Sequence, residues 1–190
     1  MPVSKKPIKR SERILVIVAL LAIILCIAGV FFLHMQNKAI DAEYESARAE
    51  LENTYQYGTT QERIDAALTL AFGDLYEVVD SEYKDGEIAV VLHAAEEPSS
   101  NVIRHYAKDT VFIMSWIFGI PEIEKFSVTF KHTLLDKGGN EVLADAFIIG
   151  ISRENADDIN YENFVNMVWE DPTLLTDRAD GYLIIPALRE

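Results

Sequence analysis

Cysteine is nearly absent. The single one, Cys26, lies inside an apolar run, so the rest of the chain can close no disulfide and holds no thiol for catalysis or metal binding. No Asn-x-Ser/Thr acceptor for N-glycosylation occurs. The absence of disulfides fits a bacterial or archaeal surface better than a eukaryotic one. Positive charge is scarce as well: 17 Lys and Arg stand against 31 Asp and Glu, a net charge of −14. Nucleic-acid phosphates and anionic lipid headgroups repel such a chain, so neither is expected as a partner surface.

Catalytic signatures are missing too. There is no G-x-S-x-G elbow and no phosphate-cradling glycine loop; Gly138-Gly139 falls in a turn between two strand patterns. His34, His93, His105 and His132 are scattered, none at the H-x₃-H or H-E-x-x-H spacing of a zinc site. His132 shares the apolar face of a strand and reads as a core or edge histidine. His105 and Asp109, four apart on a helix, read as a local surface pair. The acids Glu154, Asp157, Asp158 and Glu162 lack the register of a calcium loop and read as a solvated loop. Tyr55, Tyr57, Tyr161, Trp169 and Tyr182 are candidates for a binding surface or for core and rim. No catalytic, cofactor-binding or metal residue is assigned, and no cofactor is expected. A site assembled in space would leave no trace in the order of residues.

What is present begins with the run Ile14–Leu33, twenty residues without a charge. As a helix it spans about 30 Å, the thickness of a bilayer's hydrocarbon core. It is longer than a signal-peptide core and ends in Phe31-Phe32-Leu33-His34-Met35-Gln36 without a small-x-small cleavage site. Leu25 stands where a lipobox needs a small residue before Cys26. The glycine and glutamate of a type IV pilin start are missing as well. The run therefore reads as a retained anchor. Lys5, Lys6, Lys9, Arg10 and Arg13 precede it with one acid, Glu12, a flank of about +4; twelve basic and thirty acidic residues follow it, about −18. Positive flanks stay cytoplasmic, so the expected order is a cytoplasmic N-terminus over 1–13, a transmembrane helix over 14–33, a helical stalk over 34–58 and an extracytoplasmic domain over 59–190.

The stalk carries a short seam, Ile40, Tyr44, Ala47 and Leu51, between charged residues. Two heptads make it a candidate for weak self-association and no more. A break follows at Tyr57-Gly58-Thr59.

The domain itself reads as helix, hairpin, helix, hairpin, helix. Thr59-x-x-Glu62 matches a capping box, Ile64, Ala67, Leu68 and Ala71 share a helical face, and Gly73 stops the helix. Strands are expected over Leu75–Tyr83 and Glu87–His93, around Asp85-Gly86. The strongest helix runs from Asn101 to Phe118, capped by Ser100 and stopped by a Schellman ending at Gly119 before Ile120 and Pro121. Its core stripe is Ile103, Tyr106, Ala107, Thr110, Ile113, Met114 and Ile117. Phe126, Val128, Phe130, His132 and Leu134 alternate with polar residues, and a return strand runs from Glu141 to Ser152. Asp145 interrupts its apolar side, which implies an exposed start or a bulge. A helix over Tyr161–Glu170, capped by Asn160 and ended by Pro172, precedes Tyr182–Ile185, a last strand or an apolar strap. The expected fold class is α+β: antiparallel hairpins in one sheet, with helices on one face.

These features imply a membrane-tethered extracytoplasmic interaction domain, an accessory or subunit of a cell-envelope assembly, contacting envelope or membrane proteins. Hairpin edges and the C-terminal strap are its candidate contact surfaces. The alternatives are a receptor for a small peptide or glycan, which needs a pocket between the sheet and the Asn101–Phe118 helix, and a hydrolase with a spatially assembled site.

Overall fold

The computed structural model describes residue 38 and residues 41–188. The run Ile14–Leu33, its basic flank, His34 and Ile40 lie outside the described residues. Among the described residues, no helix is long and apolar enough to cross a membrane. The chain divides into two compact units, Met1–Ala49 and Glu50–Glu190. Residues 41–49 of the first are helical, with Tyr44 exposed.

The second unit opens with helical residues 50–57 (α1), followed by α2 (Thr60–Phe72) and a short 3₁₀ turn (Gly73–Leu75). The first hairpin is β1 (Tyr76–Lys84) and β2 (Glu87–Ala94). Then come α3 (Val102–Ile117), the second hairpin β3 (Lys125–Leu135) and β4 (Glu141–Ser152), and three helices, α4 (Arg153–Ala156), α5 (Tyr161–Glu170) and α6 (Thr173–Thr176). A last strand, β5 (Gly181–Ile184), and a 3₁₀ turn at Pro186–Leu188 follow.

Several local signals act as the sequence implies. Thr59 and Glu62 form a reciprocal capping box, with the Thr59 N–H donating to Glu62 Oε2 at 2.8 Å. Gly73 closes α2 at φ 52°, and Asp85 and Gly86 turn the first hairpin at φ 51° and 85°. Asn160 Oδ1 accepts from the Asn163 N–H and caps α5.

The five strands lie in the order β1-β2-β3-β4-β5, and the sheet is mixed rather than antiparallel throughout. Both hairpins and the β4–β5 pair are antiparallel, but β2 and β3 run parallel, with Leu92 beside Phe130. The cause is α3. Its sixteen residues rise about 24 Å, close to the length of β2, and carry the chain back to the end of the sheet from which β2 started.

One face of the sheet is the core. The rows Leu92–Phe130–Phe147, Val90–Val128–Ile149 and Ile88–Phe126–Ile151 are buried beneath α2 and α3. The Tyr106 ring stacks on Phe130 at 4.6 Å between centroids. Most of the expected α3 stripe is fully buried, with Val111 added to it, whereas Phe112 is exposed. On the other face every residue is half-buried or exposed. Its rows are Val91–Thr129–Ile148–Leu183 and Ala89–Ser127–Gly150–Gly181. The β4 irregularity is a bulge: Phe130 pairs with Phe147 but Lys131 pairs with Asp145, leaving Ala146 as the extra residue. That phase shift turns Asp145 to the open face, where it receives the Lys131 ammonium at 2.7 Å.

Both expected ends of α3 need correction. Ser100 does not cap it. Asn101 is the N-cap, in the left-handed conformation (φ 53°) and without a side-chain cap bond. A sharp reversal from loop into helix demands that conformation, which Asn tolerates better than Ser. At the other end Gly119 is not left-handed, so there is no Schellman ending. The Gly119 and Ile120 N–H groups close tight turns onto the Trp116 and Ile117 carbonyls instead. Glycine serves here through its size: a Cβ at Gly119 would stand 2.1 Å from the Tyr55 hydroxyl.

Candidate functional site

Three features of the second unit are candidates, and they differ in chemistry. The first is a polar cluster where β2 ends. Pairing of β2 with β3 stops at His93 and Lys131, and the chain leaves β2 through a loop that carries Glu97. The Thr133 N–H on β3 therefore has no strand partner on that side. Glu97 Oε1 takes the missing place: it accepts from the Thr133 N–H and from the Thr133 hydroxyl, each at 2.8 Å. His93 Nε2 lies 3.1 Å from the same oxygen, and His132 Nδ1 lies 3.5 Å from Oε2. The Tyr106 hydroxyl stands 2.9 Å from His132 Nδ1. Burial, then the charges of Glu97 and Asp109, raise the Tyr106 pKa, so the hydroxyl stays protonated.

Two histidines that look scattered in the sequence thus meet at one carboxylate. His93 and His132 are neighbours only through the parallel β2–β3 pairing, which local spacing does not reveal. Among the described residues, no group of three or more His, Cys, Asp or Glu is disposed to hold a metal ion. Glu97 Oε1 already serves three groups and Tyr106 occupies His132 Nδ1, so the cluster works as a clasp that bolts the β2–α3 loop to β3.

The clasp predicts a pH response. Burial alone would raise the Glu97 carboxyl, but the Thr133 bonds, then His93 and the charge of His132, outweigh it and hold the pKa below the usual value. A depressed folded-state pKa stabilises the fold above the unfolded-state value, and this contribution is lost as pH falls through the folded-state value. Glu97→Gln is therefore expected to destabilise the domain at neutral pH by about 1 kcal/mol and to flatten the acid limb of its stability below about pH 4.5. Urea titrations at several pH values between 3 and 7 would check this; an unchanged acid limb would refute the clasp.

His105 and Asp109 do not form the expected surface pair. The Asp109 carboxylate turns inward and accepts from the Tyr76 hydroxyl, while the His105 ring meets Trp169 edge-on at 5.0 Å. Burial raises the Asp109 pKa, against the Tyr76 bond and the charges of Lys108 and His105.

The second candidate is a groove of about 470 Å³ between the first turn of α3, α6 and β5. Ile103, Arg104, Thr173 and Thr176 face Tyr182 and Ile184 across it. Arg104 is already engaged, donating to the Trp169 carbonyl at 2.7 Å. Of the other aromatic candidates, Tyr55 packs edge-on against Trp116, Tyr161 sits half-buried beside Phe112, and Tyr57 is exposed. Burial pushes the Tyr161 pKa up to about 12. In the acidic loop Asp158 pairs with Arg178, which holds its pKa below the ordinary value.

The third candidate is the open sheet face with the β1 edge. Strand β1 ends the sheet and is exposed along most of its length. Leu75, Val78 and Val79 are exposed apolar residues in or beside it, interleaved with Glu77, Asp80 and Glu82.

No family model matches this chain, and no curated protein or solved structure matches it either.

Proposed function

We propose that this chain is a membrane-tethered interaction domain held outside the cytoplasm, an accessory or subunit of a cell-envelope assembly. The charge-free run Ile14–Leu33 and its basic flank support the tether and its direction. The observation that carries the interaction role is the five-stranded sheet, which among the described residues of the second unit carries helices on one face and has a long exposed strand at its edge. Tethering confines such a surface near the membrane and raises its effective concentration for neighbours there.

Two measurements test this reading. Protease added to intact cells or spheroplasts is expected to digest the C-terminal part, and full protection overturns the orientation. In-cell cross-linking followed by mass spectrometry is expected to return envelope or membrane proteins. Repeated isolation of the chain alone and monomeric from gentle detergent removes the main support.

A second reading, a receptor for a small peptide or glycan fragment, draws on the groove beside α3. Its mixed lining and its position at the sheet edge suit a ligand with an apolar body and a few polar groups. Ligand screening by thermal shift separates the two readings, because a receptor gains melting temperature with its ligand.

A further inference from the structure

Building on the interaction-domain reading, the geometry points to β1 as the contact: it takes up an extended basic segment of a partner protein, which pairs with it as a sixth strand.

The backbone supplies the ladder. In a hairpin with a two-residue turn, the flanking residues exchange both of their bonds, here Lys84 with Glu87. Alternation then bonds Glu82 to Ala89 and Asp80 to Val91, and turns the peptide groups of Ser81 and Tyr83 outward. The bond from the Ala95 N–H to the Leu75 carbonyl, 3.0 Å, sets the same phase upstream and turns Tyr76 and Val78 outward. Strand β1 is nine residues long and contains no proline, and its one lysine, Lys84, stands at its end. The other edge strand, β5, has only four residues.

The side chains select the occupant. Leu75, Val78 and Val79 are 68%, 43% and 46% exposed, apolar area that a pairing strand would cover. Glu77, Asp80 and Glu82 flank them, and no ion pair within the described residues neutralises these acids. A second copy is disfavoured, because antiparallel β1–β1 pairing sets acid opposite acid. A segment with Lys or Arg at alternate positions and β-branched residues between them sets opposite charges across the new pair instead. The bulge at Val79 and the acids also guard the edge against indiscriminate pairing. Selection by charge and protection by charge are then the same device.

The test uses the purified full chain in mild detergent. The probe is a nine-residue peptide alternating Lys and Val, with an alternating Glu-Val peptide as control. The Lys-Val peptide is expected to slow hydrogen exchange over Tyr76–Lys84 and not elsewhere, and the Glu-Val peptide is expected to leave it unchanged. Asp80→Lys with Glu82→Lys is expected to weaken Lys-Val binding about tenfold. Ser81→Pro removes an outward N–H without touching the β1–β2 ladder and is expected to abolish the protection, while Ser81→Ala keeps it. If Ser81→Pro fails to fold, the charge-reversed variant carries the test alone. Equal binding of both peptides, protection of another segment, or no binding at all overturns the proposal.

A photo-crosslinking residue at Val79 or at exposed Met167, in intact cells, separates this failure from that of the wider reading. Partners captured from Met167 and never from Val79 sink the β1 assignment and leave the interaction domain standing. Capture from neither position sinks both.

Discussion

Gly119→Ala is expected to lower the stability of the domain by about 2 kcal/mol, seen as a fall of roughly 5 °C in melting temperature. The added methyl would stand 2.1 Å from the Tyr55 hydroxyl and 3.1 Å from the Trp116 carbonyl oxygen. Tyr55 cannot simply swing aside. Its hydroxyl donates to that carbonyl at 2.7 Å, its ring meets Trp116 edge-on at 5.3 Å, and its own carbonyl accepts from Arg63 Nε at 2.9 Å. Burial raises its pKa, so it remains a donor throughout the neutral range. Displacing the ring therefore releases α1 from α3, and hydrogen exchange should quicken over residues 50–57. A double-mutant cycle isolates the cause. Tyr55→Phe alone loses a hydrogen bond worth about 1 kcal/mol. It also deletes the atom that the new methyl would strike, leaving the ring carbon at 3.4 Å as the nearest part of the side chain. The double variant should then cost less than the sum of the singles by about 1 kcal/mol. Strict additivity would show that the close approach at Gly119 is not what constrains the residue.

That close approach also marks the limit of what the order of residues discloses. Features closed within a few residues are legible: the Thr59–Glu62 box, the Asp85-Gly86 turn, the Asn160 cap and the alternation along β3. Each depends on φ preference, side-chain period or a donor within four positions. Gly119 shows how the same cue misleads. A glycine after a helix suggests a left-handed stop, but here the demand comes from Tyr55, sixty-four positions earlier in the chain. The mixed sheet was hidden for a related reason. Two hairpins look alike whether the helix between them returns the chain to the same end of the sheet or to the opposite one. Glu97 and Thr133 are 36 residues apart, and only the parallel register set by α3 unites them. Of the candidate contact surface, the acids Glu77, Asp80 and Glu82 and the Val78-Val79 pair of β1 are plain in the sequence. Its position as a long free edge is not, because a strand's place in a sheet depends on every other strand.

Arg153→Ala is expected to be the more damaging substitution, costing about 3–4 kcal/mol. Three backbone carbonyls in the turn from α3 to β3 converge on this one guanidinium. Nε donates to Ile123 at 2.8 Å, and the two terminal nitrogens donate to Phe118 at 3.0 Å and Ile120 at 2.7 Å. The same group lies over the Phe118 ring at 5.5 Å. Ile120 and Ile123 are fully buried, so the turn cannot move outward to hydrate its carbonyls without exposing both side chains. The local backbone supplies little in its place: the Ile123 N–H reaches the Ile120 carbonyl at 3.1 Å, but Gly119 and Ile120 spend their N–H groups on α3 itself, and Pro121 has none. A planar fork that donates in three directions fits this cradle, and a lysine ammonium at the end of a flexible stem does not. Arg153→Lys is therefore expected to recover less than half of the loss, although it keeps the charge. Urea unfolding with an unchanged m-value would assign the effect to the folded state rather than to a change in compactness. Wild-type stability in Arg153→Lys would mean that charge near the end of α3, not the three-way geometry, holds this turn.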